Sequence, residues 1–176
     1  GKILVNGDYY LLSSGSSRFS VGPSMRYKKI FQSVGDPLNS NNILVVMPYA
    51  EDEQDIAMAL ELADNLLPET SVLVKFHPST DGKQYVDRFQ GKVEITERNL
   101  CDLLRETKLI IGRSSGALVE AISLGVPTIV IDGNRFCLDY IPPHLDGKGL
   151  IWDKVTNISE AINLIPRFDQ NLQTNS

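Results

Sequence analysis

Short apolar runs alternate with helical patterns from residue 43 almost to the end of the chain. Between the runs, apolar residues recur at helical spacing, as in the stripe of Ile56, Leu60, Ala63 and Leu67. Alternating strands and helices are typical of βαβ units that form a parallel sheet. We therefore predict an α/β fold, a Rossmann-like doubly wound parallel sheet. Its predicted strands are Ile43–Met47, Ser71–Phe76, Val93–Thr96, Lys108–Gly112, Pro127–Ile131 and Gly149–Trp152.

The first 42 residues do not follow this alternation. Ser13–Ser17 and Asp36–Asn42 have the composition of loops, and Arg26–Phe31 fits a short helix. We predict that residues 1–42 form a connector or lid segment and that residues 43–176 form the Rossmann-like domain. Because the chain begins without methionine and within a strand-like run, we expect it to be part of a longer protein.

Composition narrows the class of protein. With 42% hydrophobic and 22% charged residues, the chain is an ordinary globular one. Its net charge is −5 and its basic residues are scattered, which argues against nucleic-acid binding but leaves a small anionic ligand open. No apolar run reaches the roughly 18 residues of a membrane span, so we expect a soluble, cytoplasmic domain. Cys101 and Cys137 lack zinc-ligand spacing and are expected to be buried.

The segment GRSSGALVE, residues 112–120, joins a predicted strand to a predicted helix. Ser114, Ser115 and Gly116 would lie at the helix N-terminus, whose free N–H groups and partial positive charge suit a phosphate. Arg113 would add a charged contact. In the alternative interpretation the serines only cap the helix. Glu120 then is a solvated helix residue, whereas beside a ligand its carboxylate would bind ribose hydroxyls.

Three further loops follow predicted strands and therefore share the same edge of the sheet. His77, with Pro78 fixing the turn, would project there and contact a phosphate or move a proton. A histidine bonded to a loop carbonyl is the alternative. Tyr49 would line a nucleotide pocket, and Thr96 to Leu100 would read a base edge, although Glu97 with Arg98 is more typical of a solvated helix start.

Several familiar motifs are absent. The sequence contains no G-x-G-x-x-G after its first predicted strand and no G-x-x-x-x-G-K-[ST], which the dinucleotide-binding and P-loop proteins use to hold phosphates. It also lacks the G-x-S-x-G turn of α/β-hydrolases. The protein classes that remain are phosphate-binding folds that use other loops.

The pair His77-Pro78, followed by SSGALVEAISLGVPTIVID at residues 114–132, resembles the C-terminal, donor-binding half of GT-B fold glycosyltransferases. The closest resemblance is to bacterial capsule and surface-polysaccharide transferases. The segment VGPSMRY, residues 21–27, resembles their crossing between domains. Non-hydrolysing UDP-N-acetylglucosamine 2-epimerases are similar too, so half of such an isomerase is an alternative, as is a non-catalytic nucleotide-binding domain.

The resemblance implies a role for each candidate residue. His77 would contact the phosphate or sugar of a UDP-, CDP- or CMP-linked donor; Ser114, Ser115 and Gly116 would bind its phosphates; and Glu120 would face its ribose. Thr96 to Leu100 would frame the base. The resemblance also implies no metal and no cofactor, an acceptor-binding N-terminal domain that this chain lacks, and a parent protein at the inner face of the membrane.

Overall fold

The computed structural model describes residues 3–5, 19–21, 40–49, 53–66, 70–113, 115–132 and 147–174, in two compact units, Gly1–Ser33 and Val34–Ser176. The first unit contains strands β1 (Ile3–Val5) and β2 (Phe19–Val21), which pair in parallel. The strand-like start of the sequence agrees with β1, whereas the loop-rich pattern does not predict β2. The helix predicted at Arg26–Phe31 lies outside the described residues.

The second unit is built on a six-stranded sheet in which every pairing is parallel. The strand order is β5-β4-β3-β6-β7-β8, so the order reverses between β3 and β6. This confirms the predicted Rossmann-like doubly wound fold, whose ligand site lies beyond the carboxyl ends of the strands at the reversal. The strands are β3 (Asn42–Val46), β4 (Ser71–Lys75), β5 (Glu94–Ile95), β6 (Leu109–Gly112), β7 (Thr128–Ile131) and β8 (Trp152–Val155).

Helices cover both faces of this sheet. They are α1 (Glu53–Leu66), a 3-10 turn (Gly82–Tyr85) that continues into α2 (Val86–Phe89), α3 (Leu100–Leu104), α4 (Gly116–Ser123) and α5 (Ile158–Thr174). Alternate residues of β3 enter opposite cores, because strand side chains point to opposite faces. Ile43 packs in the core that contains buried residues of α1 and α5, and Leu44 in the one that contains those of α3 and α4.

The last strand differs from the prediction. Strand β8 begins at Trp152 because the preceding residues form a turn: Gly147 and Gly149 have φ of +85° and +80°, and Ile151 N–H donates to Gly147 O at 2.8 Å. Leu150 is consequently 65% exposed. Helix α5 starts at Ile158 and continues through Pro166 to Thr174. None of the helices within the described ranges is long and apolar enough for a bilayer.

Candidate functional site

The point where the strand order reverses is held together by a close approach of β3 and β6. Gly112, the last residue of β6, is buried beside Val46, the last residue of β3. A Cβ at Gly112 would lie 2.7 Å from Val46 Cγ2 and 2.9 Å from Val46 O, closer than such atoms pack. Glycine is therefore required for the two carboxyl ends to meet.

Helix α4 begins directly beyond this contact. Ser115 is its N-cap in extended conformation, and its Oγ accepts from Ala117 N–H at 3.3 Å. Gly116 is exposed, and a Cβ placed there would meet nothing within 4 Å. Ser114 lies outside the described residues. The structure thus shows Ser115 as a helix cap, as the alternative interpretation predicts. It also shows open space at the first turn of α4, which an anionic ligand needs. Gly125, at φ +76°, follows the C-cap Leu124 of this helix.

Arg113 is tied to the start of α1. Its Nη1 lies 3.2 Å from Asp55 Oδ1, and its Nη2 lies 3.5 Å from Gln54 Oε1. The side chains of Arg113 and Asp55 are 13% and 2% exposed, so the ion pair is largely buried. The charge contact predicted for Arg113 with a ligand stays a prediction, but the guanidinium observed here anchors the loop. Sequence reasoning missed Asp55 because it is one of several acidic residues in the turn EDEQD.

Glu120 lies on α4, one turn after Gly116. Glu120 is only 6% exposed, so it is not the solvated helix residue that the alternative interpretation predicts. Residues four apart lie on the same side of a helix, which places Glu120 behind the open first turn. Its contact with ribose stays a prediction.

The loops after β3 and β4 meet through Tyr49 and His77. The centroids of the two rings are 5.0 Å apart, and the ring planes are at 78°. Tyr49 is 71% exposed, which suits a residue that lines an open pocket. The Nδ1 atom of His77 is 2.7 Å from Ser79 Oγ and accepts from Ser79 N–H at 3.2 Å. Sequence reasoning named His77 but missed Ser79.

The loop after β5, from Thr96 to Leu100, is fixed by hydrogen bonds from several directions. Thr96 is buried, its N–H donates to Val74 O at 2.9 Å, and its Oγ1 accepts from Arg98 N–H at 3.3 Å. Lys75 Nζ, at the end of β4, donates to Arg98 O at 2.7 Å. Burial lowers the pKa of Lys75, an effect that the nearby Glu97 carboxylate opposes. The loop is therefore braced against β4.

The end of the same loop begins a helix. Asn99 is the N-cap of α3, its side chain accepts from Cys101 N–H at 2.9 Å, and Leu100 is the first helical residue. Arg98 forms two hydrogen bonds of 2.9 Å with the Glu106 carboxylate. These bonds raise the pKa of Arg98 and lower that of Glu106. Cys101 is partly buried, so its predicted full burial is wrong, while Cys137 lies outside the described residues.

The strand order brings three of these loops side by side, in the order His77, Tyr49, Ser115. Because neighbouring strands are about 4.8 Å apart, the His77 loop and the start of α4 flank the end of β3 at a spacing of about 10 Å between their strands. Direct contacts join Tyr49 with His77, and Arg113 with α1. Across the described part of the chain, His, Cys, Asp and Glu side chains form no metal-binding cluster.

Comparison with solved structures yields matches, whereas no family model and no curated protein matches the sequence. The structure is similar to the spinosyn rhamnosyltransferase SpnG, with a TM-score of 0.53 and 14% identity, over 87% of this chain and 43% of that one. It is likewise similar to the glycosyltransferase of kitacinnamycin, with a TM-score of 0.51 and 14% identity, over 89% of this chain and 44% of that one. The chain has a glycosyltransferase-like fold.

This chain spans less than half the length of either structure. At 14% identity the likeness concerns the fold. The resemblance to glycosyltransferases inferred from the sequence is therefore supported at that level, while the likeness to surface-polysaccharide enzymes stays a prediction.

Proposed function

We propose that this domain is the donor-binding half of a metal-independent glycosyltransferase of surface-polysaccharide synthesis. The observation that carries the proposal is the open, serine-capped N-terminus of α4, at the reversal of strand order in a glycosyltransferase-like fold. The phosphates of a nucleotide-sugar lie there, where N–H groups of the first turn and the helix dipole balance their charge. The same N–H groups stabilise the leaving phosphate, which is why no metal ion is required.

The neighbouring loops hold the rest of the donor in this proposal. His77 contacts the phosphate or the sugar, and Tyr49 lines the pocket next to it. Glu120 faces the ribose from within α4, and the braced loop from Thr96 to Leu100 frames the base. The acceptor is bound by a part of the protein other than this domain, so we expect the chain alone to bind nucleotide weakly and to transfer little or no sugar.

Filling the open space at Gly116 tests the proposal. The chain is titrated with UDP, CDP and CMP by calorimetry or NMR, as wild type, Gly116→Ala and Gly116→Leu. Since a Cβ at Gly116 meets nothing within 4 Å, Gly116→Ala should fold. Gly116→Leu extends its side chain from the same exposed position, so we expect it to fold as well. We expect Gly116→Leu to weaken binding at least tenfold by occupying the phosphate position, and Gly116→Ala to weaken it less.

Two results would overturn the proposal. One is the absence of binding by all three nucleotides at millimolar concentration. The other is equal affinity of wild type and Gly116→Leu, which would place the nucleotide elsewhere. Circular dichroism and the thermal midpoint of each variant show whether the fold is intact.

A further inference from the structure

Ser79 makes two contacts with one nitrogen atom of the His77 ring. Its backbone N–H donates to Nδ1 at 3.2 Å, and its Oγ lies 2.7 Å from the same Nδ1. Pro78 between them has a fixed φ, and Thr80 N–H donates to His77 O at 2.9 Å, which closes the turn. The local backbone thus holds the Ser79 donor against the ring.

The contact from the backbone N–H indicates which ring nitrogen carries the proton. A backbone N–H only donates, so Nδ1 must offer it a lone pair. A neutral imidazole has one N–H, which then resides on Nε2. A proton on Nδ1 could be donated to Ser79 Oγ, but it would face the Ser79 N–H, donor against donor, and would take the acceptor away from that N–H.

We propose that Ser79 is a positioning residue that holds His77 as the Nε2–H tautomer, so that the ring presents an N–H donor to a phosphate oxygen of the nucleotide-sugar. This inference rests on the proposed function. Phosphate oxygens are acceptors, so only the ring nitrogen that carries a proton can bind them when the ring is neutral. The Tyr49 ring lies edge-on to the His77 ring, with centroids 5.0 Å apart.

The tautomer is measured directly on the chain without ligand. Long-range ¹H–¹⁵N correlation of histidine-labelled protein, at a pH where the ring shifts are constant, distinguishes a protonated from an unprotonated Nδ1. The His77→Ala variant assigns the signals. We expect His77 to show an unprotonated Nδ1 and a protonated Nε2.

The role in binding is measured by a double-mutant cycle with the nucleotide that the wild type binds best. The Ser79→Ala variant keeps the backbone N–H and removes only the hydroxyl that lies 2.7 Å from Nδ1. Loss of this one hydrogen bond predicts that Ser79→Ala weakens binding about fivefold. Ser79→Thr keeps the hydroxyl and should restore affinity. In the His77→Ala background, Ser79→Ala should have no further effect, because its role passes through the ring. Ser123→Ala is the control, since Ser123 Oγ donates to Val119 O at 2.8 Å on the last turn of α4.

The outcomes separate this inference from the function on which it rests. A proton on Nδ1 in the wild type overturns the role proposed for Ser79 and leaves the proposed function standing. Additive effects of Ser79→Ala and His77→Ala on affinity also overturn it, because Ser79 would then act independently of His77. Failure of the wild type to bind any nucleotide overturns the proposed function together with the ligand assigned here.

Discussion

Two parts of the candidate site are held in different ways. The junction of β6 with α4 rests on buried anchors: Gly112 against Val46, and the Arg113–Asp55 ion pair. The loops after β4 and β5 are fixed by side chains at the surface, such as the hydrogen-bonded pair Arg98–Glu106, whose exposed fractions are 49% and 54%. One half of the site is therefore built into the core, and the other half is braced from outside.

The difference between the two parts shows how buried and exposed contacts contribute to the rigidity of a binding site. A buried ion pair is costly to break, because removal of one partner leaves a charge without water or a counter-charge. An exposed pair contributes little, because water and salt compete for both groups. We therefore expect substitutions at the β6–α4 junction to affect folding, and those at the outer braces to have small effects that depend on conditions.

The largest expected effect is that of Asp55→Asn. It removes the negative charge of the Arg113–Asp55 ion pair while the Arg113 side chain stays largely buried, which should lower the free energy of unfolding by about 3 kcal/mol. The matched control is Asp64→Asn on the same helix, where Asp64 pairs with Lys92 at 2.6 Å but both side chains are exposed. The control should lose less than about 1 kcal/mol. Urea denaturation of both variants measures the difference, and equal losses would remove the distinction between buried and exposed anchoring.

Gly112→Ala should have the next largest effect. Its Cβ would lie 2.9 Å from the carbonyl oxygen of Val46, which cannot move without distorting β3. Overpacking of this kind costs about 1–3 kcal/mol. Gly116→Ala is the control, since its Cβ enters open space. If thermal unfolding shows the same midpoint for both variants, the close approach of β3 and β6 does not constrain the fold.

The smallest effect belongs to the outer brace and depends on pH. The hydrogen bonds from Arg98 lower the pKa of Glu106 below its ordinary value of 4.5. The unfolded chain thus binds a proton there more readily than the folded one, so the pair stabilises the fold above about pH 4.5 and loses this contribution as the pH falls through the folded pKa. Glu106→Gln should make the decline of the urea midpoint between pH 6 and pH 3.5 shallower.

Two controls define that measurement. Glu61→Gln removes an exposed acidic group from α1 and corrects for the loss of one charge. Raised salt should reduce the difference between wild type and Glu106→Gln, because the pair is exposed. A decline as steep in Glu106→Gln as in the wild type would show that the brace contributes nothing to stability.

The sheet could be predicted from the sequence because its strands are buried on both faces and therefore read as continuous apolar runs, as Ile43–Met47 does. Strand β8 could not, since Gly149, Leu150 and Ile151 are apolar too and only the positive φ values of Gly147 and Gly149 turn them away from the sheet. Strand β2 is three residues long and carries no apolar period to recognise.

For the candidate site, the sequence likewise predicts the positions of some residues but not their partners. Ser115, Gly116 and His77 follow strands directly, and that position is visible in a sequence. The residues that hold them are not, because their partners come from distant segments. The pairing of Arg113 with Asp55 joins α1 to the loop after β6, and the bond from Lys75 to Arg98 O joins two different strand ends. The role of Ser79 depends on an atomic distance to Nδ1 that no spacing rule supplies.

The pairing of β3 with β6 has a consequence for the stability of the domain. Ile43 pairs with Leu109, so the first strand of one βαβ half lies against the first strand of the other. Neither half carries the candidate site alone, since His77 and Tyr49 belong to one and Ser115 to the other. A nucleotide bound there as proposed would bind only the docked pair, so its binding energy would add to the stability of the contact between the two halves. The candidate site is in this sense also the interface between the two halves of the domain.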